Sequence, residues 1–190
     1  MQKLFLIISF IVSCAAGMYT INTSSAHSIP NEKLIEKEIK LSQIKRTEII
    51  RRNNQIKEYR RQLLCLATNV YREAKNQPLI GMKAVAEVTL NRTADSRWPN
   101  DVCSVVYERD SRKCQFSWVC EGDKAIRPVR PKNRLEKDAW ESAQKISWEA
   151  LMAVNPEFPD YTYFHATYVS PNWKNVHSPE QIGAHIFYKG

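Results

Sequence analysis

Apolar residues recur every three or four positions through LLCLATNVYREAKNQPLIGMKAVAEVTLNR, a pattern that predicts two helices broken at Asn76-Gln77-Pro78. In the first helix Leu63, Leu66, Val70 and Ala74 form a core-facing stripe; in the second, opened by Pro78, the apolar side runs through Met82, Val85, Ala86, Thr89 and Leu90. Upstream, the charged stretch from residue 31 to 62 lacks glycine and proline and spaces Ile35, Ile49, Ile56 and Leu63 by multiples of seven, which predicts a long helix. Ser42 interrupts that seam, and Arg46, Asn53 and Arg60 stand where a second apolar row would be. The pattern therefore favours a solvated helical spacer over a coiled-coil homodimer.

Downstream, residues 95–134 mix short apolar and aromatic runs with turn residues, predicting loops and short strands, and the prolines of RPVRP mark an extended surface segment. Helical period returns through Leu135, Ala139, Ala143, Ile146, Ala150 and Val154 and stops at Asn155-Pro156. YTYFHATY and GAHIFYKG then alternate as strands do, with Tyr161, Tyr163 and His165 on one side, and His185 and Phe187 together. Helices first and strands late predict a single α+β domain over residues 63–190, behind a spacer over 27–62.

Charge sharpens this division. The formal net charge is +8, and residues 31–62 carry ten Lys/Arg against five Glu, while the rest of the chain beyond them carries seventeen against fifteen. An excess placed in a stalk suits an anionic envelope surface better than nucleic acid, for which no finger, recognition helix or RNP-like motif is present. The first 26 residues, one lysine followed by a short apolar run and small residues, read as an export signal, placing the protein in the periplasm or cell envelope. Cleavage near Ala26, acylation at Cys14 within Ile11-Val12-Ser13-Cys14, and an uncleaved membrane anchor remain open. Cys65, Cys103, Cys114 and Cys120 are even in number and lack a paired C-x-x-C, so disulfides are expected over a zinc site. Their connectivity is open; a Cys114–Cys120 bridge would close a small loop around Gln115, Phe116 and Ser117.

One residue violates the helical pattern. Glu73 projects from the apolar stripe, three positions after Val70, near the end of its helix. Partial desolvation and the negative end of the helix dipole both disfavour a charged carboxylate there, and a carboxylic acid protonated near neutral pH is what cleavage of a glycosidic bond requires. The alternative is an outward Glu73 paired with Arg72, Lys75 or a distant residue.

The segments CLATNVYREAKNQPLIGMKAVAEVTLNR, WPNDVCSVVYERD, CQFSWVCEG, YFHATYVSPNW and IGAHIFYKG, in this order, resemble the cell-wall hydrolase family that includes the spore cortex-lytic enzymes (SleB/CwlJ-like). The resemblance covers about residues 63 to 190 and leaves the signal and spacer outside. It implies a lysozyme-like, lytic-transglycosylase-type α+β fold that cleaves peptidoglycan, and it places the family's acid/base glutamate, in the motif Y-x-E-A, at Glu73. Many relatives carry glycine where this chain has Asn76, a residue that also tolerates the left-handed conformation common after a helix.

The chemistry so implied needs one carboxylate for a lytic transglycosylase and two for a muramidase-type hydrolase, for which Asp95, Asp101, Glu108 and Asp110 are the nearby candidates. Gln115, Phe116 and Ser117 could present polar groups and an aromatic face to a sugar, and Trp118 or Trp173 a stacking face. Asn91 suits either helix termination or a substrate amide. His165 and His185 are candidate cleft-lining donors. With His177 they also raise a zinc-amidase alternative, although their spacing matches no H-E-x-x-H arrangement. A wall-binding module without catalysis is the remaining alternative. No metal or cofactor is expected, and peptidoglycan is the expected partner.

Overall fold

The computed structural model describes residues 31–110, 113–124 and 127–190; the export-signal and lipoprotein readings lie outside the described residues. The chain divides into a unit of residues 1–46 and a unit of residues 47–190. In the first, the described residues are exposed and, from Glu32 on, helical, with Leu34, Ile39 and Ile44 each more than half exposed. Among the described residues no helix is long and apolar enough to cross a membrane.

Helix α1 is Glu32–Ala74 and α2 is Leu79–Ala94, so the break falls at the residues the sequence marks. Gln77 N–H bonds to Ala74 C=O at 2.9 Å, and Asn76 is not among the residues with positive φ, so a left-handed asparagine does not make this turn. Leu66, Val70 and Ala74 are buried as their spacing predicts, whereas Ile49 and Ile56 are exposed.

Helix α2 is buried on more than its predicted apolar side. Ala84 and Val88 are enclosed as fully as Val85, Ala86 and Thr89, and Glu87 and Arg92 go in with them. The cause is its central place: it packs against α3 (Val102–Val106), α4 (Arg134–Met152), β1 (Tyr161–Ala166) and β2 (His177–Ile182). Each fully buried valine or methionine there contributes about 1.5–3 kcal/mol relative to an exposed one.

The short strands expected within residues 95–134 are not found among the described residues. That segment instead forms α3, capped by the Asp101 side chain on Ser104 N–H, a 3-10 segment over Ser117–Lys124, and one isolated bridge between Arg109 and Cys114. Two disulfides hold it, Cys65–Cys103 to α1 and Cys114–Cys120 across its own loop. In α4, Ala143, Ile146 and Ala150 are buried, but Leu135 is 80% exposed and Val154, beyond the helix end, 91%. The apolar period overruns the contact surface at both ends.

The sheet is antiparallel in the order β1-β3-β2, with β3 at His185–Lys189. Strand β2 carries no apolar alternation and contains Pro179, which suits an edge strand and hides it from pattern reading. A register shift between Tyr161 and Tyr163 corrects the expected facing of β1. Tyr161 and Phe164 both lie against Phe187, at 6.2 and 5.4 Å between ring centroids, while Tyr163 and His165 turn to Trp173. An extra residue in one strand changes which face its side chains take. His185 and Phe187 share the buried face, as read from the sequence.

Hydrogen bonds made by three helix and turn residues, Asn91, Arg92 and Gln77, carry this sheet to the helices. Asn91 Nδ2 donates to Phe158 C=O and Tyr161 C=O, both at 2.9 Å, and Arg92 Nε donates to Thr162 C=O at 2.7 Å. At the opposite end, Gln77 Oε1 accepts from Ala184 N–H at 2.8 Å. Gly183 makes that approach possible: its φ is +61°, and a Cβ there would lie 2.5 Å from Gln77 Oε1. The β2–β3 turn is thus seated on the α1–α2 turn, which brings His185 beside Glu73.

Candidate functional site

Glu73 is fixed by its neighbours in α1. Val70 and Ala74 anchor the last turn in the core, and the carboxyl group emerges, partly buried, where an open cleft of about 860 Å³ meets a smaller recess of about 190 Å³. Burial pushes its pKa from the ordinary 4.5 up to about 7, against the opposing pull of the Arg92 guanidinium. The C-terminal end of the helix dipole acts in the same direction as burial. Among the described residues the Glu73 carboxyl group has no hydrogen-bond partner, so no donor holds it in the charged form. Such a group can deliver a proton near neutral pH and can take one back.

One wall comes from α2 and the loop after α3. Arg92, buried at 5% exposure, lies over the Phe116 ring at 5.2 Å and the Trp98 ring at 5.5 Å. Its burial lowers its pKa to about 10, while Tyr163, Glu108 and Glu73 act to raise it. With its carboxamide oxygen turned inward, Gln115 accepts from Arg92 Nη1 at 3.1 Å and Trp98 Nε1 at 2.9 Å. Beneath this wall, Trp118 Nε1 donates to Asn69 Oδ1 at 3.0 Å, and Asn69 Nδ2 to Thr89 Oγ1 at 3.1 Å, a buried chain joining the loop to both helices.

The sheet supplies the other wall. His165 and His185 both line the cleft from opposite faces of the sheet: His165 Nε2 is 3.0 Å from Tyr188 Oη, whereas His185 packs edge-on to Phe164. Burial, with a smaller contribution from His165, pushes the His185 imidazole below its ordinary range. Its buried Nδ1 has no hydrogen-bond partner among the described residues. Trp173, 38% exposed, stands at the rim against Tyr163, His165 and Tyr188.

Of the residues singled out in the sequence, Glu73, Gln115, Phe116, Ser117, His165, Trp173 and His185 come together around one cleft. Asn91 does not line it; its carboxamide is engaged with the two carbonyls before and at the start of β1. Among the acids after Thr93, Glu108 and Asp110 line the cleft, as does Glu121, which was not singled out, while Asp95 pairs with Arg97 at 2.6 Å and Asp101 caps α3. Arg92, Trp98 and Tyr163 also line the cleft and were not singled out. Arg92 sits at a helix C-terminus, where a basic residue is ordinary, and only its burial against two aromatic rings sets it apart.

A family model described as Cell Wall Hydrolase matches residues 76–188. The spore cortex-lytic enzyme of Bacillus cereus (strain ATCC 14579) is 29% identical over 125 residues, covering 65% of this chain and 42% of that enzyme. The spore cortex-lytic enzyme of Bacillus subtilis (strain 168) is 31% identical over 125 residues, 64% of this chain and 35% of that one. The chain therefore matches less than half the length of these curated relatives. Among solved structures, the catalytic domain of the germination-specific lytic transglycosylase SleB from Bacillus anthracis superposes with a TM-score of 0.50 at 26% identity, covering 67% of this chain and 93% of that domain. The catalytic domain of the Bacillus cereus SleB protein gives the same TM-score and identity over 89% of its length. The α+β architecture is thus that of the SleB catalytic domain, of lysozyme-like, lytic-transglycosylase type, and the chain belongs to the cell wall hydrolase family.

Proposed function

We propose that this protein is an exported enzyme that cuts the glycan strand of peptidoglycan between N-acetylmuramic acid and N-acetylglucosamine as a lytic transglycosylase. The observation that carries the reading is Glu73, a partly buried carboxyl group in a large open cleft, protonated in good part at neutral pH. The SleB structural relative, named a lytic transglycosylase, supports the same reaction.

In this mechanism the protonated Glu73 donates to the glycosidic oxygen as its bond to C1 of the muramoyl residue breaks, releasing the N-acetylglucosamine 4-hydroxyl. Positive charge develops at C1, and the Glu73 carboxylate now faces it. The carboxylate then takes the proton of the muramoyl 6-hydroxyl while O6 bonds to C1, closing a 1,6-anhydro ring and restoring the acid. No water is consumed, and one carboxyl group serves both steps. Arg92 restrains the rise in the Glu73 pKa, so the charged form needed midway remains accessible. Gln115, Ser117 and the His185 imidazole supply polar contacts for the N-acetyl and hydroxyl groups, and Trp173 a stacking face at the rim.

Hydrolysis is the second reading, because Glu108 and Asp110 line the same cleft and either could activate water. Mass spectrometry of soluble fragments from purified sacculi separates the two. Anhydromuramic ends, one water lighter than reducing ends, are expected; reducing ends would transfer the mechanism to a second carboxylate. Activity is expected to persist in chelator, whereas loss in chelator and recovery with zinc would favour an amidase. If Glu73→Gln and wild type both pellet with sacculi and neither releases fragments, the protein is a binding module. The basic helical stretch ahead of the domain is read as a spacer toward an anionic envelope surface, with membrane anchoring through the N-terminus and a coiled-coil homodimer as variants of that reading.

A further inference from the structure

A second groove, of about 730 Å³, runs beside the cleft, and its charge is one-sided. Arg72 and Lys75 enter it from α1, and Arg127, Arg130 and Lys132 from the segment before α4, against Glu136, the one acid in its lining among the described residues. Lys75 and Glu136 offset each other at 3.3 Å, and Glu136 also accepts from the Lys132 backbone N–H at 2.8 Å. Arg127, Arg130 and Lys132 have no ion-pair partner among the described residues. The RPVRPK sequence holds these side chains apart: Pro128 and Pro131 keep the backbone extended, and Val129 between them packs against the core. The strap is therefore seated by its apolar residue and presents its cations outward.

The groove adjoins the proposed catalytic cleft through shared lining residues. Arg72 lines the groove, the cleft and the recess beyond Glu73, and Lys75 lines both groove and recess. The residues that join the openings thus flank Glu73 in sequence. A glycan strand in the cleft carries, on each muramoyl lactyl group, a peptide that branches away from the sugar and bears free carboxylates. Guanidinium groups match carboxylates with paired parallel hydrogen bonds.

We propose that this basic groove is a binding site for the carboxylates of the peptide stem, making the protein selective for peptide-bearing glycan over strands stripped of peptide. The inference rests on the peptidoglycan reading above. It assigns the 127–132 strap a role in substrate choice: the strap reads the branch while the cleft reads the sugar.

The test is calorimetric titration of the full chain carrying Glu73→Gln with a soluble disaccharide-peptide, its carboxylates either free or amidated. The same titrations are run on that chain with Arg127→Gln, Arg130→Gln and Lys132→Gln added. Amidation and the triple substitution are each expected to weaken binding about tenfold, their effects not adding, and the free-carboxylate affinity is expected to fall with salt. Equal affinity for the two ligands, or no loss on triple substitution, would overturn the inference. So would groove-dependent binding of a poly(glycerol phosphate) polymer with none of the disaccharide-peptide. Cleavage products are scored separately on wild type. Groove-dependent binding without any cleavage would sink the proposed activity alone, and cleavage with groove-independent binding would sink the groove alone.

Discussion

Glu73 and Glu87 are both carboxylates withdrawn from water on neighbouring helices, and their surroundings prepare them for opposite tasks. Glu87, 2% exposed on α2, accepts from the Phe158 backbone N–H through Oε2, while its Oε1, without a hydrogen-bond partner among the described residues, lies 4.0 Å from Lys83 Nζ. It ties the segment before β1 to the central helix. Glu73 has lost part of its water and gained no donor among the described residues, so its protonated form is favoured. A buried carboxylate that accepts from the backbone is suited to hold structure; one with no donor is suited to the acid role proposed for Glu73.

The strongest way to break this comparison is to substitute each residue and read activity and stability together. Glu73→Gln is expected to lower the rate of release from sacculi about 10³-fold with the fold intact, the scale of a general acid's contribution. Retained activity would remove Glu73 from the mechanism. Glu87→Ala is expected to do the reverse, lowering unfolding stability by about 3 kcal/mol in denaturant titration, because the Phe158 N–H is left without its acceptor. Activity per folded molecule should survive.

The dependence on pH sharpens the contrast. Between 4.5 and about 7 the folded protein holds a proton on Glu73 that the unfolded chain has released, so this residue's contribution to stability falls as pH rises through that window. Glu73→Gln is therefore expected to raise stability by about 1–3 kcal/mol at pH 8 and to be neutral below pH 4.5, as read from melting curves at the two pH values. Activity should decline above pH 7 as the acid form is lost. A loss of stability of similar size is expected from replacing Cys114 and Cys120 together by serine, about 2 kcal/mol for so short a loop. The greater effect should fall on the KM for glycan, because Gln115, Phe116 and Ser117 lie within that loop. Unchanged KM would show that the loop's shape survives without its bridge.

Periodicity made the helices legible. Leu66, Val70 and Ala74 declared the buried face of α1, and Pro78 the start of α2, since both signals are local. It failed where burial came from several sides, as for Glu87 and Arg92, and where the strand phase shifted, as at Tyr161. Strand β2 left no apolar signature because its side chains before Ile182 are all exposed. Glu73 was legible as a breach of pattern, and the cysteines as an even set whose pairing required the fold.

By itself the sequence determined the positions of the long helices, the odd placement of one acid in an apolar stripe, and the family resemblance over the second part of the chain. These depend on neighbours a few residues apart, for which spacing along the chain stands in for geometry. The tertiary structure decided which disulfides form and that Asn91 serves the backbone while Arg92 faces the cleft. It also decided that His165 and His185 approach from opposite faces of the sheet, and that a cationic strap shares a groove with Arg72 and Lys75. Those facts join residues tens of positions apart, and only chain closure around a shared core fixes such distances.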